Sequence, residues 1–209
     1  MFLDSNWGGL GGRAARDGVS CLSFPQNVGN HPVEVLESRY PVRITRYEFR
    51  RDSEGPGRFR GGFGSVKDYR FLAPVELQVP GDRVKLPPWG LFGGGEGATT
   101  AYVRVRKDRE MALKTKHAYE LATDDVLSVR TSGGGGLGDP LARAPKAVAV
   151  DVALGTVSAR RARAVYGIAL DRRGGVDRAA TAALRKELRA KGRRVARKKP
   201  RSGRIKARA

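Results

Sequence analysis

At 209 residues, with 40% hydrophobic and 30% charged side chains, the chain is long enough to bury a core, roughly 70% of its unfolded surface if it forms one compact unit. Its 28 glycines and 11 prolines point to many turns, and a single cysteine, Cys21, excludes an internal disulfide and gives no argument for secretion. No apolar run approaches the roughly 18 residues of a membrane span, and Phe2-Leu3-Asp4 is not a signal-peptide start. The expected location is therefore the cytoplasm.

The formal charge of +20 is unevenly spread. Residues 185–209 hold 13 of the 41 Lys and Arg and one acid, Glu187, so +12 sits there and +8 remains for residues 1–184. That stretch is nearly devoid of apolar side chains and contains Gly192, Pro200 and Gly203, a composition that reads as a disordered basic tail. A solvated extension is favoured over a binding arm. Nucleic acid is expected as a partner only non-specifically, through this tail.

In chain order, Met1–Gly18 reads as a Gly-rich loop anchored by Trp7, and Val19–Phe24 as a short strand. His31 lies close in sequence to Asn27, Asn30, Glu34 and Glu37. Imidazole with carboxylate oxygens could ligate a divalent metal, but a turn histidine bonded to nearby backbone is the commoner arrangement, and the metal stays unknown. Glu34 and Glu37 share a face if Val33–Leu36 is helical and point to opposite faces if it is extended; the residues alone leave both open. Tyr40-Pro41 ends that segment. From Val42 to Arg50 apolar and polar residues alternate closely enough for a half-buried strand.

Asp52 then opens a turn, and Gly55, Gly57, Gly61, Gly62 and Gly64 allow positive φ. Bare N–H groups beside Arg58 and Arg60 would suit a phosphate or carboxylate. The loop lacks P-loop spacing, and a structural connection is slightly favoured. Two short strands flank Ala73-Pro74, and Pro87-Pro88-Trp89-Gly90 forms a rigid corner whose tryptophan either stacks on a ring-shaped ligand or plugs the core. Thr99–Arg106, Ala112–Lys114 and Asp125–Thr131 read as further strands. Four consecutive glycines, Gly133–Gly136, predict close approach of the backbone to a ligand or to another strand. Past Pro140 the period changes: Pro145 and Gly155 frame one helix, Ser158 and Gly167 a second, and Asp177 caps a third.

The expected fold class is α+β: a β-rich body of short strands and Gly-rich loops over residues 1–140, a helical segment over 141–184 with two or three helices, and the disordered basic tail over 185–209. No Ser-His-Asp arrangement, CxxC or HExxH motif is present.

Four motifs, PVEVLE, DSEGPGRFRGGFG, PPWGLFGG and SGGGGLGDPLAR, occur in that order. Together they resemble the C-terminal part of the hydantoinase B family, which includes N-methylhydantoinase B subunits, the B-type half of 5-oxoprolinases and related acetone and acetophenone carboxylase subunits. The resemblance runs from about Ser5 to Arg185. It implies a hydrolase acting on a cyclic amide together with an A-type partner subunit, with ATP bound by that partner rather than by this chain and a divalent metal possible. It also implies a longer protein, so this chain reads as one piece whose N-terminal part is missing. Glu34 and Glu37 match the family's acidic pair and, with Asp52, are the catalytic candidates; Arg58, Arg60, Trp89 and Asp139 are the substrate-binding candidates. A truncated, non-catalytic assembly module and nucleic-acid binding through the tail are the alternatives.

Overall fold

The computed structural model describes residues 3–23 and 28–198. Among these the expected α+β class is present. Helix α1 (Val33–Arg39) leads into β1 (Val42–Phe49), β2 (Ser65–Phe71) and β3 (Val75–Gln78). Strands β4 (Ala101–Arg106), β5 (Arg109–Ala112), β6 (Ala118–Leu121) and β7 (Val126–Arg130) follow. Three helices close the described chain: α2 (Pro145–Ala153), α3 (Ala159–Tyr166) and α4 (Arg178–Lys198). The strands form a five-stranded antiparallel sheet, β1-β2-β7-β4-β5, and a two-stranded one, β3-β6. Val42, Tyr69, Phe71, Leu127 and Val129 of the larger sheet meet Val79, Leu113 and Leu121 in the main core.

Local chemistry accounts for most of these boundaries. Pro145 takes the first turn of α2, where its missing N–H costs nothing. The Ser158 hydroxyl accepts from Arg161 N–H at the start of α3, and Gly167 ends that helix at φ 64°. Asp177 caps α4 by accepting from Ala180 N–H at 2.9 Å. Beyond β4, Lys107 and Asp108 both take positive φ and turn the chain directly into β5. This moves the strand expected over Ala112–Lys114 back to Arg109–Ala112.

Three further expectations are corrected. The half-buried pattern expected along β1 fails: a register shift between Ile44 and Arg46 keeps Tyr47 and Phe49 on the face of Val42 and Ile44, opposite Lys67 and Ser65, yet only Val42 is buried and both rings are exposed. Val19–Ser23 forms no strand; Cys21 N–H instead donates to the Phe63 carbonyl. Arg185, expected to begin a disordered stretch, lies inside α4. Its side chain packs on Gly167 and donates to the Tyr166 and Arg143 carbonyls, and these anchors, with buried Thr181 bonded to Ala169, hold the helix. The remainder of the expected tail, 199–209, lies outside the described residues.

The glycines form the central feature. Segments 8–12, 53–64, 88–97 and 131–138 lie side by side, joined by backbone hydrogen bonds, among them Gly12 to Gly135, Gly55 to Gly134, Gly134 to Gly62, Gly136 to Gly95 and Gly95 to Pro56. None of Gly55, Gly57, Gly61, Gly62 or Gly64 takes positive φ, so the expected reason for these glycines is replaced by another. Adjacent backbones leave no room for a Cβ: on Gly133 it would fall 1.8 Å from the Ser53 carbonyl oxygen. Phe63 projects from this layer into a second core with Val148, Val157, Ala162, Tyr166 and Ile168, which fixes the helices to the β-rich body.

Candidate functional site

A buried polar cluster forms where the N-terminal segment crosses the larger sheet. Lys67 and Tyr69, two apart on β2, project to one face. Lys67 Nζ and Tyr69 Oη both donate to Asp4 Oδ2 at 2.6 Å, and Asn6 Nδ2 donates to Tyr69 Oη at 2.8 Å. The Lys67 ammonium also lies 4.9 and 5.2 Å from the ring centroids of Tyr47 and Tyr69. His31 Nδ1 lies 3.2 Å from Asp4 Oδ1, and while the imidazole is 54% exposed the Asp4 side chain is only 4% exposed.

The electrostatics follow from these contacts. Burial pushes the Asp4 carboxyl upward in pKa, but hydrogen bonds from Lys67 and Tyr69, then the Lys67 charge and His31, outweigh it and hold the group below the ordinary carboxylate value. Burial and the adjoining Asp4 carboxylate raise Tyr69, so its phenol stays protonated. The contact with the buried Asp4 carboxylate fixes the orientation of the exposed His31 ring. Asp4, Asn6 and Tyr69 line one end of a cleft of about 930 Å³, whose remaining walls include Phe71, Leu77 and Tyr102. Glu76, Gln78, Asp82, Thr100 and Thr131 line it as well, so the cleft offers apolar walls together with polar groups to a small ligand.

The seven residues singled out from sequence fall into three neighbourhoods. Helix α1 forms, so Glu34 and Glu37 stand at i, i+3; Glu37 Oε1 accepts from Ile44 N–H at 2.7 Å and pins the bulge of β1, while Glu34 is exposed. Asp52, at φ 58°, braces the α2–α3 connection by accepting from Ser158 N–H at 2.7 Å, with its own N–H donated to Thr156. Arg60 meets the same helical segment through Asp151 of α2 at 3.2 Å. Arg58, Trp89 and Asp139 gather around the last glycines: Arg58 N–H donates to Gly138, Gly135 abuts the Trp89 carbonyl, and Asp139 caps the turn at Pro140–Ala142. Trp89 does not plug the core: it is 65% exposed, with the Arg83 guanidinium over its ring.

The cluster around Asp4 went unseen in the sequence. Its members stand 63 and 65 residues apart, and the available signal was a lysine at an inward position of a strand. The same holds for Arg143, 3% exposed, which joins Asp17 (2.6 and 2.8 Å) to Asp151 (2.9 Å). Burial opposes its charge, but hydrogen bonds and charge from Asp17, then Asp151, raise its pKa further. This network ties the glycine layer to α2.

Neither phosphate nor metal finds a prepared site in the predicted places. The N–H groups of Gly55, Gly61, Gly62, Gly133, Gly134 and Gly136 are all donated to backbone carbonyls, and that of Gly64 to Ser53 Oγ, so the loop is no phosphate cradle. Among the described residues no three His, Cys, Asp or Glu side chains converge as metal ligands. Asp4, beside His31, already accepts from Lys67 and Tyr69, which leaves a poor donor set for a cation. No described helix is long and apolar enough to cross a membrane.

A glycine layer bonded backbone to backbone, flanked by an antiparallel sheet and C-terminal helices, is the architecture that carries these residues. The model of the hydantoinase B/oxoprolinase family matches residues 1–140, and the chain belongs to that family. It is 33% identical over 193 residues to the B-type component of a putative D-/L-hydantoinase of Pseudomonas sp. (strain NS671), an alignment covering 89% of this chain and 32% of the relative. It is 34% identical to the beta component of the caprolactamase of Pseudomonas jessenii, covering 88% of this chain and 33% of the relative. The crystal structure of the ATP-dependent caprolactamase from Pseudomonas jessenii superimposes with a TM-score of 0.74 at 29% identity, over 86% of this chain and 32% of that one. The chain thus spans about a third of the length of these relatives.

Proposed function

We propose that this chain is the C-terminal, substrate-side part of a B-type subunit in a cytoplasmic, ATP-dependent enzyme that hydrolyses a cyclic amide, with ATP bound by an A-type partner. The observation that carries this reading is the 34% identity to the beta component of a caprolactamase over 88% of the chain. The glycine layer is the scaffold in this reading. Of the sequence candidates, Glu34, Arg58, Trp89 and Asp139 are exposed, and the first three are available to substrate or to the partner. Glu37, Asp52, Arg60 and Asp139 act by holding the loops that present them. The cleft lined by Asp4, Asn6 and Tyr69 receives the ring, whose opening consumes ATP and water and releases ADP, phosphate and the ring-opened product.

The test is complementation. An A-type subunit, together with a B-type subunit deleted for the matched third, is assayed for ring-opened product and ADP release on hydantoin, 5-oxoproline and caprolactam, with and without this chain. The reading requires coupled turnover that appears only when the chain is added. Stable assembly without turnover on any of the three rings would overturn the enzymatic reading and leave a non-catalytic assembly module.

A further inference from the structure

The groove between α2 and α4 gathers cations without acids to match them. It measures about 1080 Å³ and is lined by Lys146 of α2 and by Arg178, Arg185, Lys186 and Arg189 of α4; no acidic or aromatic residue lines it. Nearby acids are engaged: Asp177 caps α4, Glu187 pairs with Lys191 at 2.6 Å, and Asp139 caps its own turn while also acting on Arg185. Arg185 is fixed in the groove by its bonds to the Tyr166 and Arg143 carbonyls. Lys146 and Arg178 occupy the first turns of their helices, which contain no acid. There a positive charge opposes the helix dipole, so local helix stability does not explain either one. Over its 21 residues α4 has nine Lys or Arg and one acid.

We propose that this groove, with the exposed faces of α4, binds the phosphate backbone of a duplex nucleic acid without reading its sequence. A helix of this length extends about 30 Å, close to one turn of a duplex, and Arg178, Lys186 and Arg189 stand exposed on it to meet phosphates. An acidic protein partner is the competing occupant. Protein interfaces, however, are anchored by buried aromatic and apolar side chains, and the groove offers alanines, Val176 and Thr181 between its cations. The absence of aromatics from its lining also removes the stacking platform that single strands require. The proposal is independent of the enzymatic reading.

The experiment is fluorescence anisotropy with labelled duplexes of about 20 base pairs and unrelated sequences, titrated with the full chain at several salt concentrations. The expected result is equal affinity for every sequence, with log affinity falling linearly against log salt. The triple variant Lys146→Glu, Arg178→Glu, Lys186→Glu weakens binding at least tenfold and flattens the salt slope by about 2 to 3. A control of equal charge change, Arg43→Glu, Arg70→Glu, Arg109→Glu on the sheet, leaves most of the affinity. All six side chains are exposed and form no hydrogen bond among the described residues, and thermal melts confirm that both variants fold. Equal losses in the two triples would show that only net charge acts and overturn the site. Tighter binding to poly-glutamate than to the duplex would assign the groove to an acidic protein, and no binding at physiological salt would also overturn the proposal.

Discussion

Gly61 and Gly134 lie back to back: a Cβ on Gly61 would fall 2.0 Å from the Gly134 carbonyl oxygen and 2.4 Å from its carbonyl carbon. That oxygen accepts from Gly55 N–H at 2.7 Å, so it cannot withdraw without breaking the layer. Gly61→Ala is therefore expected to cost about 3 kcal/mol or more, beyond ordinary overpacking of a flexible core. Gly29→Ala, at a position with nothing within 4 Å and no positive φ, is expected to be neutral or stabilising by about 0.5 kcal/mol. Denaturant midpoints of the two variants check this; comparable losses would remove the close-approach explanation.

Asp4→Asn leaves the Lys67 ammonium, 2% exposed, without its counter-charge. Unpairing a buried ion in this way costs about 3–5 kcal/mol. The folded pKa of Asp4 is depressed, so its stabilisation is present above the ordinary value of 3.8 and is lost as pH falls through the lower folded value. The stability gap between wild type and Asp4→Asn, measured by denaturation from pH 7 downward, should narrow below about pH 4. A gap that is constant with pH would assign the loss to packing alone.

Glu54 runs the other way. It is fully buried; burial raises its pKa, against the opposing Arg161 charge and hydrogen bonds from Arg161 and Tyr166. A carboxyl raised in the folded state stabilises most below its unfolded pKa, and that contribution fades as pH rises through the folded value. The stability difference between Glu54→Gln and wild type should therefore move in the variant's favour from pH 4.5, the ordinary glutamate value, toward neutrality. A difference that moves toward wild type would show that Arg161 dominates instead.

Arg143→Lys tests the junction between the glycine layer and α2. A lysine keeps the charge but cannot bond Asp17 through two nitrogens while reaching Asp151. A loss of about 2–4 kcal/mol is expected. The double change with Asp151→Asn should lose less than the sum of the singles. Additive losses would show that the two side chains are not coupled.

The sequence by itself determined the elements whose cause is local. Pro145, Ser158, Gly167 and Asp177 set helix ends, proline bounds α1, and the alternation of Ala101–Arg106 and Val126–Arg130 marks strands, because caps, turns and period-two patterns act over a few residues. The four motifs in order, three of them Gly-rich, likewise carried the family. Tertiary structure alone decided which glycines meet, since backbone contact between Gly61 and Gly134 leaves no trace in composition beyond the glycines themselves. It alone brought Asp4 to Lys67 and Tyr69, and Asp17 to Arg143 and Asp151, pairing charges that are far apart along the chain. It also turned Trp89 outward and let α4 run on through a basic stretch with few apolar residues, because Arg185 finds carbonyls on Tyr166 and Arg143 to which it can donate. Burial and charge pairing are properties of the assembled neighbours, and a linear pattern contains only one side of each.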